Sequence, residues 1–184
     1  IGSWWTGSEE DVVPAGDAAK GYMAATWNLA GKHIPLIADM EKVIYGAGKG
    51  NLQDTSKIGT VLYNRGVSAA VLSVEAIRKG QEKYGKGKAL TGEQMRWGFE
   101  NLNLDDARLK ALGATGFMPP LKITCADHEG PGKVKFQQWD GSQWKVITDW
   151  VESDRPLVRG MIEESAAAYA KEKGIKPRDC SKES

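Results

Sequence analysis

The chain has 184 residues, with 25 Lys and Arg against 24 Asp and Glu, for a formal net charge of +1. That balance excludes a polybasic tail protein and an acidic solvating domain, and it gives no support to nucleic-acid binding, which needs a basic face. With 41% hydrophobic and 27% charged residues, the chain has the mix of a globular protein with enough length to bury a core. No apolar run approaches the roughly 20 residues that span a membrane.

The chain opens Ile1-Gly2-Ser3-Trp4-Trp5, with no Met and no charged and apolar leader regions. This apolar, aromatic start reads as the middle of a strand over residues 1–6. The chain is therefore expected to be the C-terminal part of a longer polypeptide. Residues 7–16, with Ser8, Glu9, Glu10, Asp11, Pro14 and Gly16, read as a loop. Residues 21–27 alternate loosely and read as a second short strand. Leu36, Met40, Val43 and Ile44 predict a helix over 35–45 with Pro35 in its first turn. Ile58, Val61, Leu62, Ala69, Leu72, Ala76 and Ile77 recur at helical spacing and predict the longest helix, within 55–84. Asp54 and Thr55 can cap it, and Gly85 and Gly87 close it. Thr91-Gly92-Glu93-Gln94 matches a capping box opening a further helix. Asp105 or Asp106 caps a shorter one that ends at Gly113.

The pattern then changes to strands. Residues 121–125 are strand-like. Val134, Phe136 and Gln138 alternate, Asp140-Gly141 follows, and Trp144, Val146 and Thr148 continue, which predicts a hairpin. Residues 156–173 return to helix, with Leu157, Met161, Ile162, Ala166 and Tyr169 on one stripe and Gly174 at the end. Residues 177–184 form a polar tail. The order of strands, helices, hairpin and helix reads as α/β.

Cys125-Ala126-Asp127-His128-Glu129 is the densest polar cluster. Cys-x-x-His is half of a zinc site, and no second pair follows at metal spacing. A catalytic Cys needs a His that meets it in space, and the other His is His33. The cluster reads as a polar turn. Two cysteines permit one disulfide without proving it. Gly46-Ala47-Gly48-Lys49-Gly50 follows a helix, the wrong context for cradling phosphate. Tyr63-Asn64-Arg65-Gly66 interrupts the apolar pattern of the long helix. An Arg fork suits a carboxylate and a Tyr can stack on an organic ligand. Equally, Arg65 can be a structural tie from helix to loop. Trp4-Trp5 sits at a strand end, where α/β folds bind ligands. Neighbours on a strand face opposite sides, so at most one Trp is expected at a ligand and the other in the core, the more common fate of Trp.

Gly16-Asp17-Ala18-Ala19-Lys20-Gly21-Tyr22, the Tyr63-Asn64-Arg65-Gly66 helix running to Glu75-Ala76-Ile77-Arg78, and Gly92-Glu93-Gln94 through Glu100-Asn101-Leu102 together carry a resemblance. The chain resembles the C-terminal half of substrate-binding proteins of branched-chain amino-acid-type ABC transporters. Gln138-Trp139-Asp140-Gly141, Trp144-Lys145-Val146 and Ala167-Ala168-Tyr169-Ala170-Lys171-Glu172 are similar to the same group. The ordered series, which covers essentially the whole chain, carries the resemblance.

The resemblance implies the C-terminal part of a bilobal type I periplasmic-binding-protein fold, with three-layer αβα lobes joined by three crossovers. Residues 1–26 would end the second lobe and make the first crossover. Residues 27–124 would be first-lobe helices, and 125–184 the hairpin crossing back and the C-terminal helix of the second lobe. The N-terminal half, with any signal peptide, would be missing, which would leave strand edges and apolar faces exposed. The implied function is the periplasmic solute-binding component of an ABC importer, partnered by a membrane permease. That protein is no enzyme, needs no cofactor or metal and binds no nucleic acid. The alternative is a ligand-sensing receptor domain of the same fold. Alignment back from Gly16 puts Trp4 where amino-acid-binding relatives hold an acidic residue against the ligand ammonium. A Trp offers stacking or a cation–π face instead. The expected solute is therefore an aromatic or aliphatic carboxylate or an amino acid. The candidate ligand residues are Trp4, Tyr63 and Arg65, with Asn64 and Glu9 behind them. An oxidising compartment favours a Cys125–Cys180 disulfide.

Overall fold

The computed structural model describes residues 1–182. Of the first six residues only Gly2 pairs with a strand, through a parallel bridge to Ala24. Trp4–Thr6 is a 3-10 turn, closed by the Thr6 N–H on the Ser3 carbonyl at 3.2 Å. The strand expected over 1–6 is thus overturned, and so is the opposite facing of Trp4 and Trp5. Their rings stack with centroids 4.0 Å apart.

The loop expected over 7–16 holds a helix, α1 (Glu9–Val12). Ser8 is its N-cap residue, and Asp11 Oδ2 reaches back to accept both the N–H and the hydroxyl of Ser8, at 2.9 and 2.6 Å. This Ser-x-x-Asp spacing is a capping signal that the turn-rich composition masked. Next come β1 (Met23–Thr26) and α2 (Pro35–Met40), the latter continuing into a wider turn over Glu41–Tyr45.

The long helix, α3 (Val61–Tyr84), starts six residues later than the earliest start its periodicity allowed. Gly59 turns the chain at φ +86°, and Thr60 takes the cap by accepting the Tyr63 N–H at 3.4 Å. Thr55–Lys57 is a separate 3-10 turn under Asp54. Helix α4 (Gly92–Glu100) opens with the expected reciprocal box: the Gln94 N–H donates to Thr91 Oγ1 at 3.3 Å, and the Thr91 N–H to Gln94 Oε1 at 3.0 Å. Strand β2 (Asn103–Leu104) leads to α5 (Asp106–Ala111), which Asp105 caps.

Strand β3 (Leu121–Lys122) pairs with β2 in a small two-stranded sheet. The main sheet is built on β4 (Lys133–Trp139), which runs antiparallel to β1, to β5 (Trp144–Val146) and, at its start, to β6 (Val151–Glu152). The expected hairpin turns at residues 140–143, where Asp140 Oδ1 accepts the N–H groups of Ser142 and Gln143 at 2.8 and 2.9 Å. Helix α6 (Arg155–Lys173) ends at Gly174 in the left-handed conformation.

The main core is Ile34, Ile37, Val67, Leu104, Leu109 and Phe117 with their neighbours, where α2, α3 and α5 meet the small sheet. Beside it, Glu75 is buried and grips Arg108 with both oxygens, at 2.6 and 2.7 Å. Helix α6 is different, because none of its residues is buried and Leu157 and Met161 are each 61% exposed. Its apolar stripe is present, but nothing among the described residues covers it. Polar ties hold its first turns instead: Arg155 to Asp127, and Arg159 to Glu129 at 2.9 Å.

Candidate functional site

Trp4 projects from the turn that follows the Gly2 bridge, and the start of α3 meets it. Arg65 Nη2 donates to the Trp4 carbonyl at 2.8 Å. The Arg65 guanidinium carbon also lies 4.9 Å from the Trp4 ring centre, in cation–π range. Burial lowers the Arg65 pKa, with the Asp11 charge working in the opposite direction. Its Nε is buried without a hydrogen-bond partner.

Three further contacts fix the same segment, two at or just before the start of α3 and one on β4. Glu9 Oε2 accepts the Val61 N–H at 3.0 Å, a carboxylate placed at the positive end of α3. Glu10 pairs with Lys57 at 3.0 Å. Gly7 offers its carbonyl to the buried Gln137 amide at 2.8 Å.

The five residues singled out in the sequence therefore divide. Trp4 and Arg65 are brought together. Glu9 is engaged with the backbone of α3. Asn64 is fully buried, and its Nδ2 donates to the carbonyls of Leu29 and Gly31 at 2.8 and 3.2 Å, tying α3 to the chain that leaves β1. The Tyr63 hydroxyl faces that of Tyr45 at 3.4 Å, and burial together with this contact raises its pKa.

Burial raises the Glu9 pKa above 4.5, against the lowering effect of the Val61 N–H. A carboxyl group with a raised folded-state pKa contributes stability below its unfolded pKa, and that contribution is lost as pH rises through the folded value. Glu9→Gln keeps an acceptor for Val61 but carries no charge. The variant is expected to flatten the stability profile between about pH 4.5 and 7 without loss at pH 7. Urea midpoints across that range test this, and an unchanged slope would refute it.

Trp4 also lines a cavity of about 530 Å³. Its walls include Trp27 just after β1, Leu72 on α3, Met118 and Pro119 before β3, and the 128–134 segment leading into β4. Trp27 meets Trp4 nearly edge-on, with centroids 6.4 Å apart and planes at 74°. The strand-end argument applied to Trp4 would have found Trp27. Nothing local in the sequence pointed to Leu72, Met118 or Pro119.

The polar cluster at 125–129 forms one edge of this region. Cys125 is bonded to Cys180, with Cα atoms 5.7 Å apart, so its sulfur is no nucleophile in this state. His128 Nε2 lies 3.2 Å from Glu100. Among the described residues, no three His, Cys, Asp or Glu side chains gather as a metal site.

The chain is part of a type I periplasmic-binding-protein fold, the fold of binding proteins of branched-chain amino-acid ABC transport. It superposes on a solved protein of the Pseudomonas fluorescens group, described as an ABC transporter permease, with a TM-score of 0.93. The two are 49% identical over 98% of this chain and 43% of that one. A branched-chain amino-acid ABC transporter protein from Thermus thermophilus, solved with bound valine, gives a TM-score of 0.63 at 24% identity, over 85% of this chain and 40% of that one. The chain thus spans less than half the length of both. No protein-family model and no curated protein matches the sequence. No helix among the described residues is long and apolar enough to cross a membrane.

Proposed function

We propose that the chain is the C-terminal part of the extracytoplasmic solute-binding component of an ABC importer. The observation that carries this reading is the near-complete superposition on a protein of an ABC transport system at 49% identity. The uncovered apolar face of α6 supports it, because a second body of the same fold would bury Leu157 and Met161. On this reading residues 1–26 end the second lobe, 27–124 carry first-lobe helices, and 125–184 cross back. The rest of the polypeptide completes both lobes, the periplasm is its compartment, and a membrane permease receives its solute. Trp4 and Arg65 belong to the ligand site. The protein binds and releases its solute unchanged.

The test is a thermal-shift panel of amino acids, aromatic acids and short-chain acids on the whole polypeptide. A solute at a hundred times its Kd stabilises the folded state by about 2.7 kcal/mol, a rise of several degrees in melting point. Small-angle scattering should show the molecule contract in the same solution, because two lobes close on the ligand. Chemical conversion of the stabilising compound, or no shift across the whole panel, would overturn the reading.

A further inference from the structure

Resting on the solute-binding reading, we infer that the cavity between Trp4, Trp27 and the 128–134 segment takes the uncharged aromatic ring of the solute, and that it selects against a free amino-acid ammonium.

The cavity falls within the about 300–1,000 Å³ usual for small-molecule sites. Its surface is mainly carbon, from two indoles, Leu72, Met118, Pro119 and Pro131. The charged side chains and the imidazole that reach it already have partners among other residues of this chain. Lys133 pairs with Glu152 at 2.5 Å, Glu129 with Arg159 at 2.9 Å, and His128 with Glu100 at 3.2 Å. An ammonium entering here would lose its water and find no uncommitted carboxylate among the described residues, a large cost, and the Trp4 ring already carries the Arg65 guanidinium at 4.9 Å.

The two indoles are set nearly at right angles. Ring pairs favour offset-stacked and edge-to-face arrangements, so a planar ring can adopt a favoured geometry with each. Trp4 is also held in advance. Arg65 grips its carbonyl and packs on its ring, and Trp5 stacks against it. A wall fixed before binding loses little freedom when the ligand arrives.

The experiment is calorimetric titration of the whole polypeptide with two matched pairs of probes. 3-Phenylpropanoate and L-phenylalanine differ only by the ammonium. Benzoate and cyclohexanecarboxylate differ only in aromaticity. The first of each pair is expected to bind at least about tenfold tighter, the factor that an unpaired ammonium or one to two lost ring contacts produces. Trp27→Leu keeps an apolar wall and should abolish the benzoate preference while leaving the ammonium discrimination in place. Trp4→Leu is the second variant, should Trp27→Leu melt early. Tighter binding of L-phenylalanine or valine overturns the inference and leaves the importer reading standing. So does a benzoate preference that survives both variants, or a panel in which other solutes bind and none of these four does. Failure of every solute in the broad panel removes the importer reading itself.

Discussion

Reduction of the Cys125–Cys180 disulfide, or replacement of both cysteines by serine, is expected to lower stability by about 3–4 kcal/mol. The bridge joins residues 55 apart, and closing a loop of that length removes much of the unfolded chain's freedom. The native side of the balance is affected too. The bridge holds the tail that carries Arg178, whose guanidinium grips Glu100 at 2.8 and 2.9 Å. Glu100 is buried, and with the tail released it would keep only part of its compensation. The Arg178 hydrogen bonds are the main cause holding the Glu100 pKa below 4.5. A depressed carboxylate contributes stability above its unfolded pKa, and that contribution is lost as pH falls through the folded value. The reduced protein should therefore show a shallower fall in stability on the acid side of pH 4.5. Urea denaturation with and without a thiol reductant, at pH 7 and at pH 4, reads both effects. Equal midpoints for the two redox forms would refute the first, and parallel pH profiles the second.

Gly98→Ala is expected to cost about 2–3 kcal/mol, while the same substitution at Gly66 is expected to add about 0.5–1 kcal/mol. Both glycines lie inside helices, in α4 and α3 respectively. A Cβ at Gly98 would fall 2.2 Å from the Ala76 carbonyl oxygen and 3.4 Å from the Gly80 nitrogen, both backbone atoms of α3. Backbone cannot swing aside as a side chain can, so the two helices would have to separate and lose packing along their length. A Cβ at Gly66 meets nothing within 4 Å, so Ala there only removes unfolded-state freedom. Paired melting curves test this. A change of the same sign at both positions would show that helix propensity, rather than the close crossing of α3 and α4, governs Gly98.

Several residues meet partners that no local signal in the sequence announces. Residues 1–6 look like a strand because they are apolar and aromatic, yet Gly2 alone finds a strand partner, and the chain turns at Trp4. Glu9 and Asn64 look like ligand groups because they are polar and stand beside Tyr63 and Arg65 in sequence or in expectation. In space each meets a backbone group of this chain, Val61 for Glu9 and Leu29 for Asn64. The pairing of Arg65 with Trp4 needs the whole 4–10 segment to dock on the start of α3. No spacing rule connects those two stretches.

What the sequence by itself determined lies within a few residues of its signal. The box at Thr91 and Gln94, the cap at Asp105, the turn under Asp140 and the stop at Gly174 all form where the residues indicate. Each is a hydrogen bond or a backbone angle satisfied within one turn of chain, so distant residues have little say. The pairing of Cys125 with Cys180 needed more than spacing, because the compartment had to be inferred from resemblance first. Only the tertiary structure decided which strands pair beyond the hairpin, as Met23 does with Gln138, and which side chains wall the cavity beside Trp4. A strand has no internal partners, and a cavity belongs to no single element. Both exist only once segments far apart in sequence have packed together.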